Sequence, residues 1–273
     1  MNLSIEVGGV ILEKSTLIGV VMGFISIFVG MVIKRAPLSA LANPAAFLII
    51  IGGTFACLFT GFTMEQLRIL PSLFKKAFRM PNGRPKAELL TLFVELSQTA
   101  RREGILALES KVSDIADPFL KNGLNMVIDG MDAEFVSDVL DAEVEGMEQR
   151  HNDGAAIFTQ GGTYAPTLGV LGAVVGLIAA LGNLTDIDKL GASIAAAFVA
   201  TLLGIFTGYV IWLPFANKLK MLSKLEVTEK RMIIEGILSL QAGDSPIAIE
   251  AKLMVFIPQS ERDKLKKDKA SGE

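Results

Sequence analysis

Residues 190–213 read LGASIAAAFVATLLGIFTGYVIWL and contain no Asp, Glu, Lys, Arg or His. A helix needs about 20 mainly apolar residues to cross about 30 Å of hydrocarbon, and this run is long enough. Three other blocks read the same way, at residues 16–33, 44–62 and 155–181. The chain of 273 residues is 51% hydrophobic, with a mean hydropathy of +0.49. Soluble domains disperse their apolar residues; here they are concentrated in four blocks, which is the pattern of a membrane protein.

The blocks pair into two hairpins. A short turn at 34–43 joins the first two and another at 183–189 joins the last two. Asn43-Pro44 is a good helix start, because Asn caps and Pro sits where a missing N–H costs nothing. Two polar stretches remain, 63–154 and 214–273, and both read as helical. Leu89, Leu92, Phe93, Leu96 and Ala100 follow the spacing of one helix face. Gly104 interrupts it, and Ile105, Leu108, Val112 and Ile115 resume it. Asp117-Pro118 and Ser245-Pro246 are further helix starts, Gly243 is a C-cap, and Asn82-Gly83 marks a loop. No segment shows the period of a strand. The expected fold is an all-α membrane protein. Its segments are 1–62 with the first hairpin (16–33 and 44–62), a helical domain at 63–154, the second hairpin at 155–213 (155–181 and 190–213), and C-terminal helices with a polar tail at 214–273.

Lys and Arg near the membrane ends set the orientation. Arg68, Lys75, Lys76 and Arg79 follow the second block, and Lys218, Lys220, Lys224, Lys230 and Arg231 follow the fourth. The short turns hold only Lys34, Arg35 and Lys189. The termini and the long loop are therefore expected in the cytoplasm. The N-terminus carries Glu6 and Glu13 with no basic leader, which argues against a cleaved signal peptide. Net charge is −3, so nothing suggests nucleic acid. One Cys (Cys57) and one His (His151) exclude an internal disulfide and a Cys/His metal site of three or four ligands. There is no nucleophile–base pair and no phosphate loop, so an enzyme is not expected.

The fourth block has a small residue at every fourth place: Ala192, Ala196, Ala200, Gly204 and Gly208. The third has Gly172, Gly176 and Ala180, with Gly169 nearby. Such stripes let backbones approach closely, either within the chain or between subunits. The second hairpin is also the more polar. Thr159, Gln160, Thr163, Tyr164 and Thr167 lie in the third block, and Ser193, Thr201 and Thr207 in the fourth. These hydroxyls either bond back to their own helices or line a wet path. Pro166 is expected to kink the third block, and Pro214 to close the fourth. Both could instead serve as hinges. Proteins that move ions usually carry a titrating group in the membrane. The second hairpin has none, so either no ion moves or another chain supplies the charge.

The run Tyr164-Ala165-Pro166-Thr167-Leu168-Gly169-Val170-Leu171-Gly172-Ala173-Val174-Val175-Gly176-Leu177 resembles the MotA/PomA family, the larger stator subunit of the bacterial flagellar motor. So do residues 192–208, the run from Tyr209 through Pro214 to Leu219, residues 100–109, and residues 41–46. The likeness covers nearly the whole chain and is nearest to Gram-positive members. It implies that Pro166 and Pro214 couple ion flow to conformational change and that Thr201 stands beside the ion path. Ala173 falls where sodium-driven relatives carry Thr, which favours H+ over Na+ as the transported ion; no other cofactor is implied. Arg101 and Glu109 match a charged pair that engages the rotor switch protein of the C-ring (FliG type). A MotB-type single-span partner would supply a membrane Asp. The family plan is a pentamer around a dimer of that partner, in the bacterial cytoplasmic (inner) membrane, with the third and fourth helices inside.

Two other readings compete. ExbB/TolQ-type energisers of outer-membrane processes share the polar third helix but typically have three spans, whereas this chain has a complete first hairpin. A self-contained channel or transporter would show internal repeats or broken midplane helices, and the two hairpins here are unlike each other.

Overall fold

A computed structural model describes residues 5–7, 10–12, 14–79, 85–263 and 265; Asn82-Gly83 lies outside them. The order begins with strands β1 (Ile5–Val7) and β2 (Val10–Leu12), then α1 (Lys14–Ile33) and a 3-10 turn at Leu38–Leu41. Next come α2 (Pro44–Phe47), a π-turn at Leu48–Gly52, α3 (Gly53–Gly61), α4 (Met64–Arg68) and α5 (Leu70–Ala77). Then follow α6 (Lys86–Glu103), a 3-10 turn at Ile105–Leu108, α7 (Glu109–Ser113), α8 (Pro118–Ile128) and α9 (Ala133–Leu181). The chain continues through α10 (Ile187–Phe206), a π-turn at Thr207–Trp212, α11 (Leu213–Gln241) and α12 (Pro246–Met254). Four helical stretches are long and apolar enough to span a membrane: Lys14–Ile33, Leu38–Gly61, Ala133–Leu181 and Ile187–Gln241. The all-α reading holds, with one addition. β1 and β2 form an antiparallel ribbon pairing Ile5 with Leu12 and Val7 with Val10. Three-residue strands are too short to show a period.

Residues contact one another in two compact units, 1–80 with 151–221 and 81–150 with 222–273. The first is the membrane unit. Asn43 caps α2, its side chain accepting the Ala46 N–H at 3.2 Å. The same side chain donates to the Ala196 carbonyl at 3.5 Å, which ties the first hairpin to α10. Thr63 and Gln66 form a reciprocal capping box at the start of α4, so the chain turns directly into the amphipathic α5. The Thr16 hydroxyl donates to the Ala77 carbonyl at 3.2 Å, holding α1 to the end of α5. No residue of α1 is buried.

The second, polar unit has its own core. Leu89, Phe93 and Leu96 of α6 meet Leu108, Val112 and Ile115 beyond Gly104, all of them buried. Leu92, Ala100 and Ile105 pack against the same core. Asp117 caps α8 and Ser245 caps α12. Lys230 reaches both oxygens of Asp117, at 3.1 and 3.0 Å, and lies 4.7 Å over the Phe119 ring. Gly243 takes φ +71 at the end of α11, where a left-handed residue lets the chain reverse.

That reversal is clasped by Lys252, which bridges Asp244 at 3.0 Å and Glu235 at 3.2 Å. The Ser97 hydroxyl of α6 donates to the Asp244 carbonyl at 3.2 Å. Its hydrogen bond from Lys252 holds the Asp244 carboxyl below the usual carboxylate range. Asp244, and then Glu235, hold the Lys252 ammonium above the usual lysine value. A lowered acid stabilises above its unfolded pKa, and that stability fades as pH falls through the folded value; a raised base does the reverse. The Lys252→Met variant is therefore expected to melt below wild type by a constant margin between about pH 5 and pH 9. Thermal melts should show the margin closing below about pH 4 and above about pH 10.5.

The seam between the third and fourth membrane helices

The small-residue stripes of α9 and α10 face each other within one chain. A Cβ added to Gly204 would stand 2.6 Å from the Gly169 Cα and 2.8 Å from the Ala165 carbonyl oxygen. One added to Gly169 would stand 2.9 Å from the Gly204 Cα and 3.0 Å from the Ala200 oxygen. Both fall at or below the closest approach that a real side chain tolerates. Toward the α9–α10 turn, Gly172 meets Ala200 and Gly176 meets Ala197. Gly172, Ala200, Gly204 and Gly208 are buried, and Gly176 and Ala196 half-buried. In lipid, helix association depends on such close packing and on weak Cα–H···O contacts.

The prolines lie at the other end of the seam. Pro166 sits inside α9, where its missing N–H leaves the Gly162 carbonyl without a helical donor. Gly208 fills that gap. A Cβ there would meet the Pro166 Cγ at 2.6 Å and the Gly162 oxygen at 3.0 Å. Pro214 corrects an expectation: it does not close the fourth helix, because α11 continues through it to Gln241. The preceding turn, Thr207–Trp212, is widened to a π-turn, and the Leu213 N–H bonds back to the Gly208 carbonyl. A π-turn moves the backbone acceptors out of step, so the proline ring and its absent N–H fall where the ladder is already interrupted. Pro214 is exposed and Pro166 half-buried.

Sequence reasoning passed over the aromatic knot just beyond. Trp212 packs on Gly161, where a Cβ would stand 2.6 Å from the indole. Its ring centroid lies 5.7 Å from Phe158, 6.0 Å from Phe74 and 6.2 Å from Phe55. Phe74 also meets Phe158 edge-on at 4.7 Å and Phe215 at 5.3 Å. The knot joins α3, α5, α9 and α11. Its one sequence signal is aromatics recurring in segments far apart in the chain.

Five threonine hydroxyls of the second hairpin bond back to their own helices. Thr159 donates to the Ala155 carbonyl at 3.1 Å, Thr163 to Thr159 at 3.1 Å and Thr167 to Thr163 at 3.2 Å. Thr201 donates to Ala197 at 3.4 Å and Thr207 to Leu203 at 2.8 Å. Each hydroxyl spends its proton internally and keeps oxygen lone pairs to offer. Thr163 and Thr167 are exposed on one face of α9, continued by Val170, Val174 and Leu181. That face can accept hydrogen bonds from water at one end and is dry at the other. Ala173 and Thr201 are half-buried beside the seam. Asp186 caps α10 outside the spans, its carboxyl lowered by the Lys189 backbone N–H.

Residues 17–104 match the family model of the motility protein A N-terminal region, and residues 111–232 that of the MotA/TolQ/ExbB proton channel family. Motility protein A of Bacillus subtilis is 54% identical over 251 residues, which cover 92% of this chain and 93% of that one. This chain belongs to the motility protein A family. Solved structures agree with the family assignment. The flagellar MotAB stator complex from Bacillus subtilis aligns with TM-score 0.89 at 54% identity, over 93% of this chain and 99% of that chain. The MotAB structure of C. jejuni aligns with TM-score 0.86 at 32% identity, over 90% and 96%. As a member of that family, the chain is a multi-pass membrane protein and a stator subunit of the flagellar motor. The N-terminal match separates it from the ExbB/TolQ branch, and whole-length relatedness to stators separates it from a self-contained transporter.

The two rotor candidates lie in the polar unit. Arg101 is in the last turn of α6 and Glu109 opens α7. Both are exposed, and among the described residues neither makes an ion pair. A cation at a helix C-terminus and an anion at an N-terminus are also favoured by the helix dipoles, so their placement alone does not require a partner.

Gly204→Leu is expected to separate α9 from α10, since overpacking costs at least about 1–3 kcal/mol and here the obstacle is backbone. The stator should fail to accumulate in membranes, as read by quantitative immunoblot, whereas the small Gly204→Ala should retain part of the wild-type level.

Proposed function

We propose that this chain forms the wall of a proton path whose titrating carboxylate belongs to a MotB-type single-span partner. The observation that carries the reading is the uncharged second hairpin, with no Asp, Glu, Lys, Arg or His at 155–181 or 190–213. It is joined to a face of back-bonded hydroxyls that can accept from water but cannot titrate. The two solved relatives are described as MotAB complexes, which supports a partner of that kind. In this reading five copies surround a partner dimer, with α9 and α10 inward and α1 outward. The assembly sits in the cytoplasmic (inner) membrane, with both termini and the polar unit in the cytoplasm, as the distribution of Lys and Arg supports.

Protonation and release of the partner's Asp would bias the ring between positions. Pro166 and Pro214, set at the π-turn end of the seam, would let the helix ends move. Thr201 stands beside the path. Ala173 offers no oxygen, which supports H+ over Na+, because a sodium ion needs several oxygen ligands. The chain has no catalytic chemistry in this scheme. Arg101 and Glu109 engage the rotor switch protein, and rotation of the ring drives the rotor.

Liposomes holding this chain alone are expected to show no voltage-driven proton flux. Flux should appear when the partner is co-reconstituted, and should follow the proton gradient at fixed sodium. Robust flux through the lone chain would sink the proposal. Reversing either rotor charge, by Arg101→Glu or Glu109→Arg, should lower torque at high load while membrane assembly stays normal. Each exposed pair is worth only about 0.2–1 kcal/mol, so the deficit should be partial. Tethered-cell torque equal to wild type in both variants would remove the rotor assignment.

A further inference from the structure

Between α6 and α7 the chain makes a single 3-10 turn, Ile105–Leu108, entered through Gly104 at φ +86. That left-handed angle is open to glycine and strained for other residues. Leu108 is fully buried and Ile105 packs against the core of the polar unit. Leu106, between them, is 69% exposed. In sequence it falls between Arg101, Arg102 and Glu103 on one side and Glu109 on the other, all exposed; Arg101 and Glu109 make no ion pair among the described residues. A lone exposed leucine is ordinary on a protein surface. This one sits in a single turn anchored to the core by the buried Leu108 and by Ile105, with charges of both signs close by in sequence. An apolar centre that loses its water, ringed by charges that set orientation, is the usual anatomy of a protein contact.

We propose that Leu106 is the apolar anchor of the stator–rotor contact. It docks into an apolar notch on the rotor switch protein, flanked by an acidic side chain facing Arg101 and a basic one facing Glu109. The inference rests on the rotor reading of those two charges and adds what charge alone does not supply. Exposed charges are screened beyond about 8 Å at physiological salt, whereas apolar burial is not.

The test uses intact motors in cells whose only stator carries Leu106→Gln, Leu106→Met or Arg101→Glu. Motor-bound stators are counted by fluorescence and torque is read at high load. Leu106→Gln is expected to weaken docking at least about fivefold, with membrane level and melting temperature of the purified complex unchanged. Leu106→Met, still apolar, should behave as wild type. If Leu106→Gln docks normally while Arg101→Glu does not, the anchor is wrong and the rotor reading stands. If both dock normally, both fall. If Leu106→Gln loses membrane level or melts early, Leu106 is a structural residue and the anchor is equally overturned.

Discussion

The backbones of α9 and α10 touch. At Gly169 and Gly204 there is no room for a methyl group on either helix, and much of the membrane unit follows from that. Lipid gives no hydrophobic reward for bringing two apolar helices together. What holds them is contact at short range, which falls steeply as a gap opens. The stripe of small residues is therefore a distance constraint. It fixes the second hairpin closely enough that the first can pack on it, with Gly53 against Leu168 and Gly172 against Ile49.

The same constraint explains how two prolines coexist with unbroken helices. At Pro166 the unbonded Gly162 carbonyl is covered by the Cα of Gly208, so its exposure to hydrocarbon is limited. At Pro214 the π-turn just before it shifts the ladder, and the helix resumes beyond. Both irregularities sit at the same end of the seam, next to the aromatic knot. There glycine meets large side chains as closely as it meets backbone in the seam, with Trp212 on Gly161 and Leu213 on Gly162.

Much of this was legible from the residues alone. The four spans, the caps at Asn43, Asp117 and Ser245, and the buried face of α6 are local signals, carried by periodicity and by side chains that bond their own backbone. The stripes announced close contact but not with what, because spacing along one helix says nothing about which surface meets it; the coordinates place each stripe against the other. Pro214 was misread because a proline's effect depends on the hydrogen-bond phase of the turn before it, and a π-turn has no sequence mark as plain as the proline itself. The aromatic knot was missed for a different reason. Its members come from four segments, and no one-dimensional pattern joins them. The pair Arg101 and Glu109 was found by resemblance; their geometry alone is equally that of two well-placed helix-end charges.

Trp212 is the only tryptophan in the chain. It is 9% exposed and lies directly on the Gly161 backbone, in the turn that separates the glycine seam from the helix beyond Pro214. Its indole is thus a native optical probe in one of the two π-turns among the described residues of the membrane unit. Excitation at the red edge of the protein band would report on that one position, without labels or engineered residues. The emission maximum and quenching would follow hydration of the knot as the helices shift.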